Sequence, residues 1–132
     1  MSEGKPRILI VDDEPDLLTV LKFGLEADGF EVLQAGDGEL GLALARQYMP
    51  DLMVLDLMLP RMDGYKVCRA LKFDERYKRI PIFILSARSG ETDRRLALEL
   101  GADEVHTKPY DMRTLVGRIR ARIEQEPGRK AA

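Results

Sequence analysis

Cysteine is nearly missing from this chain. Cys68 stands alone, which excludes an internal disulfide and fits a reducing compartment. Histidine is equally scarce: His106 has no second histidine of the same chain with which to build a phosphohistidine relay. An excess of either charge is lacking too. The net charge is −2, so nothing general argues for nucleic-acid or membrane binding. No apolar run approaches the ~20 residues of a membrane span, and the opening MSEGKPR lacks an apolar signal-peptide core. Internal repeats and long low-complexity segments are absent as well. The expectation is a soluble cytoplasmic protein.

What is present suits one compact domain. The chain has 132 residues, and 45% of them are apolar, enough for a core. The expected division is an N-terminal extension over residues 1–6, one domain over 7–124, and a short tail or the start of a linker over 125–132.

The rest is organised around residues 51–64, DLMVLDLMLPRMDG. Leu52, Met53, Val54 and Leu55 form a short apolar run, the pattern of a strand buried on both faces. The run stops at Asp56. Pro60 then breaks the chain, and Asp63-Gly64 signals a turn before the next helix. An acid at the end of a buried strand, followed by a constrained loop, is displayed at the rim of a sheet.

Similar units flank this one. RILIV at 7–11 reads as a first strand ending at Asp12-Asp13. Pro15 suits the first turn of a helix that carries Leu18, Leu21 and Leu25 and closes at Asp28-Gly29. Residues 31–35 read as a second strand, and the helix marked by Leu40, Ala43 and Leu44 ends near Met49-Pro50. After Gly64 comes a third helix with Val67, Ala70 and Leu71 inward. IPIFIL at 80–85 is a fourth buried strand stopping at Ser86, and a helix over 91–100 ends at Gly101. Residues 104–107 make a fifth strand before Lys108-Pro109. Asp111 can cap a last helix carrying Leu115, Ile119 and Ile123. Five strands alternating with five helices imply an α/β fold, a doubly wound parallel sheet with helices on both faces. Right-handed crossovers favour the flavodoxin-like order 2-1-3-4-5, with the ligand crevice between strands 1 and 3 at their C-terminal ends.

All those ends share one rim, and each carries a polar group: Asp12-Asp13, Asp56, Ser86, and Lys108 after the fifth strand. Several carboxylates in one crevice repel each other and stay ionised if a cation shares the site. Mg2+ fits, since it prefers oxygen ligands and commonly bridges carboxylates to phosphate oxygens. Lys108 adds a mobile positive charge and Ser86 a hydroxyl. An acid nucleophile, a metal, an ammonium and a hydroxyl are the parts that phosphoryl transfer requires. The product is an aspartyl phosphate on Asp56. Each group alone has an ordinary explanation in an N-cap, an ST-turn or a solvated side chain. The specificity lies in four strand ends carrying the needed groups in the right order.

With these residues in place, the sequence resembles the receiver domain of two-component response regulators. The resemblance covers about 7–124 and rests on ILIVDDEP (8–15), DLMVLDLMLPRMDG (51–64), PIFILSA (81–87) and GADEVHTKPY (101–110). It implies that Asp13 and Asp56 ligand Mg2+ with the carbonyl of Met58, while Asp12 holds a ligand or a water. It implies phosphate transfer to Asp56 from a sensor histidine kinase or a histidine phosphotransfer protein. Ser86, the backbone of Ala87 and Lys108 would bind the phosphoryl group, and the Lys108-Pro109 bond would be cis. Pro60, Gly64 and Pro109 would be structural. Met58 and Arg88 would tune the lifetime of the phosphoryl group, and Met58 offers no acid or amide to orient an attacking water. Ser86 and an aromatic three residues before Lys108 would switch the helix 4–strand 5–helix 5 face that partners read. Here that aromatic is replaced by Val105, which cannot make the swing.

Other features read more plainly. Cys68 on a helix is a small core hydrophobe. Met49, Met53, Met58 and Met62 are gap-fillers. Arg94, Arg95, Arg118, Arg120 and Arg122 form a solvated face, or an ionic homodimer contact with Asp103 and Glu104 as in receivers of the winged-helix transcription-factor branch. A haloacid dehalogenase-type phosphatase needs a second acid where Met58 stands. A flavodoxin needs a Ser/Thr/Gly-rich loop after strand 1, where this chain has acids. An inactive member of the receiver family would have lost an acid or Lys108, and none is lost. The alternative kept is a phosphorylation-independent interaction module of the same fold. Output is expected from a partner protein or from an absent C-terminal domain.

Overall fold

The computed structural model describes residues 4–87 and 90–125; Arg88 and the tail after Gln125 lie outside the described residues. Five strands, β1 (Arg7–Val11), β2 (Glu31–Ala35), β3 (Leu52–Asp56), β4 (Ile82–Ser86) and β5 (Glu104–Thr107), alternate with five helices. These are α1 (Pro15–Ala27), α2 (Gly38–Tyr48), α3 (Gly64–Lys72), α4 (Glu91–Glu99) and α5 (Met112–Gln125). Every strand pair is parallel, and the order is β2-β1-β3-β4-β5. The order reverses between β1 and β3, which places the crevice there.

The start of one strand differs from the reading of the apolar runs. β4 starts at Ile82 rather than Ile80. Pro81 has no N–H to give a ladder, and the Ile80 N–H is used in the preceding turn, on Tyr77 O at 3.0 Å. α2 starts ahead of its first leucine, because Asp37 caps it by accepting the Leu40 N–H at 2.7 Å.

Alternation along the strands sorts the core into two layers. Ile8, Ile10, Leu52, Val54, Phe83 and Leu85 pack under α1 and α5, against Leu21, Leu25, Leu115, Ile119 and Ile123. Leu9, Val11, Met53, Leu55, Ile82 and Ile84 pack under α2, α3 and α4, against Ala45, Val67, Cys68, Leu71 and Ala97. Cys68 is buried as a core residue, and that burial pushes its thiol up to about 11. α4 has one buried residue, Ala97, in its nine, so it is the helix least anchored by apolar packing. No described helix is long and apolar enough to cross a membrane.

The loop after β3 is held from two sides by close glycine contacts. A Cβ on Gly64 would lie 2.4 Å from the Asp56 carbonyl oxygen, and one on Gly38 would lie 1.7 Å from Met62 O. Only glycine lets the starts of α2 and α3 come this near. Gly64 N–H donates to Leu57 O at 2.9 Å, and Gly38 N–H to Pro60 O at 3.3 Å. The backbone around Asp56 is thereby set by packing and not by loop chance.

Candidate functional site

Strand parity brings the polar groups together. Asp12 follows Ile8 and Ile10 onto the α1–α5 side of the sheet, and Asp56 follows Leu52 and Val54 to the same side. The Asp12 N–H still donates to Ala35 O at 3.1 Å, continuing the β1–β2 ladder to the rim. The Lys108 N–H donates to Ser86 O at 2.8 Å, which carries the β4–β5 pairing to Lys108. The Lys108–Pro109 peptide is cis, as the resemblance implies. Ser86 follows Ile82 and Ile84 instead, toward the α4 side, and is fully buried. Ala87 comes next, exposed at the rim.

The Lys108 ammonium lies among acids. Its Nζ is 2.9 Å from Asp12 Oδ2, 3.4 Å from Asp56 Oδ2 and 3.5 Å from Glu14 Oε1. The other oxygens are used by the backbone: Asp12 Oδ1 accepts the Glu14 N–H at 3.0 Å, and Asp56 Oδ1 accepts the Met58 N–H at 3.2 Å. Asp12, Asp13 and Asp56 each offer one carboxylate oxygen within 4.8 Å of the others. Asp12 and Asp56 are 5% exposed while Asp13 faces solvent, so the cluster is open on one side.

Burial, and then the negative charge of Asp12, hold the Asp56 carboxyl above its ordinary value against the opposing pull of Lys108 and the Met58 N–H. For Lys108, burial works to lower the ammonium, but the Asp12 hydrogen bond and the charges of Asp56 and Asp12 outweigh it and raise it. Burial also raises the Tyr110 phenol. Among the described residues, two buried acids thus share one site with a partly buried ammonium, a set that favours an added cation.

Residues 8–120 match the family described as response regulator receiver domain. The chain belongs to that family. This receiver is 44% identical over 120 residues to the DNA-binding dual master transcriptional regulator RpaA of Synechocystis sp., covering 91% of this chain and 50% of the relative. It is 44% identical over 115 residues to the alkaline phosphatase synthesis transcriptional regulatory protein PhoP of Bacillus subtilis, covering 87% and 47%. The chain therefore spans about half the length of these relatives. Among solved structures, the receiver domain of the Francisella response regulator 1452 matches with a TM-score of 0.86 at 27% identity, over 92% of this chain and 98% of that one.

On the receiver's β5, Val105 packs against the core layer under α4 and is paired in register with Ile84. Its carbonyl accepts a hydrogen bond from Arg94 Nη1 at 3.2 Å. His106 points to the other layer, partly buried, 5.7 Å from the Phe83 ring centre and 2.9 Å from Glu104 Oε1. Among the described residues, three of the five arginines form ion pairs within the chain. Arg118 pairs with Glu104, Arg122 Nη1 lies 3.1 Å from Asp103 Oδ1, and Arg120 Nε lies 2.8 Å from Asp28 Oδ2.

Spacing does not pick out two contacts that the receiver makes near the site. Glu14 reaches Lys108, and the Tyr65 hydroxyl donates to Asp93 Oδ1 at 3.0 Å, tying the start of α3 to α4. The only hint of the first is that Glu14 directly follows Asp12-Asp13. Nothing in the sequence pattern pairs Tyr65 with Asp93.

Proposed function

We propose that this receiver accepts a phosphoryl group on Asp56 from a phosphohistidine of a sensor kinase or histidine phosphotransfer protein, in the cytoplasm, as one step of a two-component pathway. The observation that supports this most is Lys108 Nζ at 2.9 Å from Asp12 and 3.4 Å from Asp56, beside a three-carboxylate cluster. The all-oxygen, acidic donor set fits Mg2+. Asp13 and Asp56 would hold the ion with the Met58 carbonyl, and Asp12 would hold a ligand or water. Bound there, Mg2+ supplies positive charge that offsets the carboxylates and the phosphoryl oxygens.

In the transfer, an Asp56 carboxylate oxygen attacks phosphorus. The O–P bond forms as the P–N bond to the donor imidazole breaks, and the electron pair stays on the imidazole nitrogen. Lys108 pairs with the phosphoryl oxygens, and the Ser86 hydroxyl and the Ala87 backbone N–H donate to them. The domain assists its own phosphorylation and dephosphorylation and turns over no external substrate.

The output is a shift of the α4–β5–α5 face toward a partner, or toward an output domain of the kind that the names of the DNA-binding relatives describe. Ser86 starts that shift from the α4 side. Val105 supplies no ring to swing, so the response runs through backbone contacts such as Arg94 to Val105 O. Homodimerisation through this face would exchange the Arg118–Glu104 and Arg122–Asp103 pairs, now internal, for pairs between two copies. Met58, with its side chain half exposed beside Asp56, and Arg88 set the phosphoryl lifetime.

The test is incubation with acetyl phosphate and Mg2+, read by intact mass beside Asp56→Asn. A phosphate-sized gain in the wild type alone, dependent on Mg2+, is expected. A folded wild type that gains nothing from acetyl phosphate or from a histidine donor would leave the phosphorylation-independent interaction module.

A further inference from the structure

Lys108 has three acidic neighbours, and two of them have other duties. Asp12 and Asp56 belong to the carboxylate cluster; Glu14 does not. Glu14 sits at the N-cap of α1, yet its side chain makes no capping bond, so it is not committed to the helix. Its backbone is fixed, because its N–H donates to Asp12 Oδ1 at 3.0 Å. Its side chain stands outside, 65% exposed against 7% for the side chains of Asp12 and Asp56, with Oε1 3.5 Å from Lys108 Nζ. The ammonium is therefore shared between an inner pair of acids and one outer acid on a rigid footing.

A divalent cation drawn to the inner acids repels an ammonium bound to the same acids. Lys108 must then loosen its hold on Asp12 without leaving the rim, since it has to meet the phosphoryl group on Asp56. Glu14 is the carboxylate within reach that remains. We infer that Glu14 is a positioning residue for Lys108: it holds the ammonium at the mouth of the site while the inner acids are engaged. The inference rests on the phosphoacceptor reading and adds to it a residue that acts on the site only through Lys108.

The consequence is an effect on metal affinity that depends on the lysine. With Glu14→Gln, Lys108 is left with Asp12 and Asp56 alone and competes harder for them. Mg2+ affinity, measured by calorimetry at physiological salt, should fall about two- to fivefold, the range of an exposed ion pair. Loss of a nearby negative charge lowers Mg2+ affinity by itself, so the same substitution is made in a Lys108→Met background, with Lys108→Gln as a second background should Met fail to fold. Action through the lysine predicts that the loss in the wild-type background exceeds the loss without Lys108 by about twofold or more, the sign of coupled residues in a double-mutant cycle. A merely structural role for Glu14 would not produce that coupling. Equal losses in the two backgrounds, in a protein that still takes phosphate on Asp56, overturn the inference and spare the phosphoacceptor reading. A protein that takes no phosphate there overturns both.

Discussion

At the scale of the residue, Asp56 carries a burden that its neighbours only partly lift. Burial and Asp12 raise its carboxyl above the ordinary 3.8, with Lys108 and the Met58 N–H opposing. A carboxyl raised in the folded state binds its proton more tightly there than in the unfolded chain. Stability without metal therefore falls as pH climbs from 3.8 through the folded value, and stays reduced at neutral pH. Asp56→Asn removes that burden. The variant should be more stable than the wild type at neutral pH in the presence of a chelator, by about 1 kcal/mol. The gap should close as the pH is lowered toward 3.8. Thermal melts of the two proteins at both pH values check this, and a variant that melts lower at neutral pH contradicts it. On the phosphoacceptor reading, this acid is retained against stability, as strained sites commonly are.

At the scale of the element, α4 and β5 are held more by polar ties than by apolar packing. Asp103, in the turn between them, accepts from the Ile82 N–H at 2.7 Å and pairs with Lys72 at 3.0 Å and Arg122 at 3.1 Å. It joins the end of α3, the start of β4 and the face of α5. Asp103→Ala leaves a half-buried ammonium and a strand N–H without this partner, and should cost about 2–3 kcal/mol. Urea unfolding measures it, and a loss under about 0.5 kcal/mol, the scale of an ordinary surface substitution, would sink the clamp.

The same elements show what was legible in the sequence. Apolar runs and turn signals located all five strands and all five helices, because each run is long enough to bury a face and each turn has its glycine, proline or capping acid. The shared rim of parallel strand ends then brought Asp12, Asp56 and Lys108 together. The ties between elements were not legible. Glu14 with Lys108, Tyr65 with Asp93, and Asp103 with Lys72 and Arg122 join residues far apart in the chain, and no local periodicity reports where long side chains meet. The start of β4 was misplaced for a related reason: Ile80 is apolar and buried, but its N–H belongs to a turn, and hydrophobicity does not record hydrogen bonds.

At the scale of the whole molecule, the domain is a sheet that presents one acidic mouth with too little positive charge of its own. Binding of Mg2+ to the folded state alone should raise its stability by linkage, by about 2.7 kcal/mol at a hundredfold excess over the dissociation constant. Melting temperature should climb with Mg2+ in the wild type and stay nearly flat in Asp13→Asn. A wild type indifferent to Mg2+ would remove the metal from the account. The central claim is more specific: one carboxylate, at the end of β3, becomes an acyl phosphate. Borohydride reduction after phosphorylation tests it most directly, since it converts an aspartyl phosphate to homoserine and marks the acceptor for peptide mass mapping. The account predicts homoserine at position 56 and at no other acid. Homoserine at Asp12 or Asp13 instead, or phosphate retained on a residue that borohydride does not convert, would contradict it.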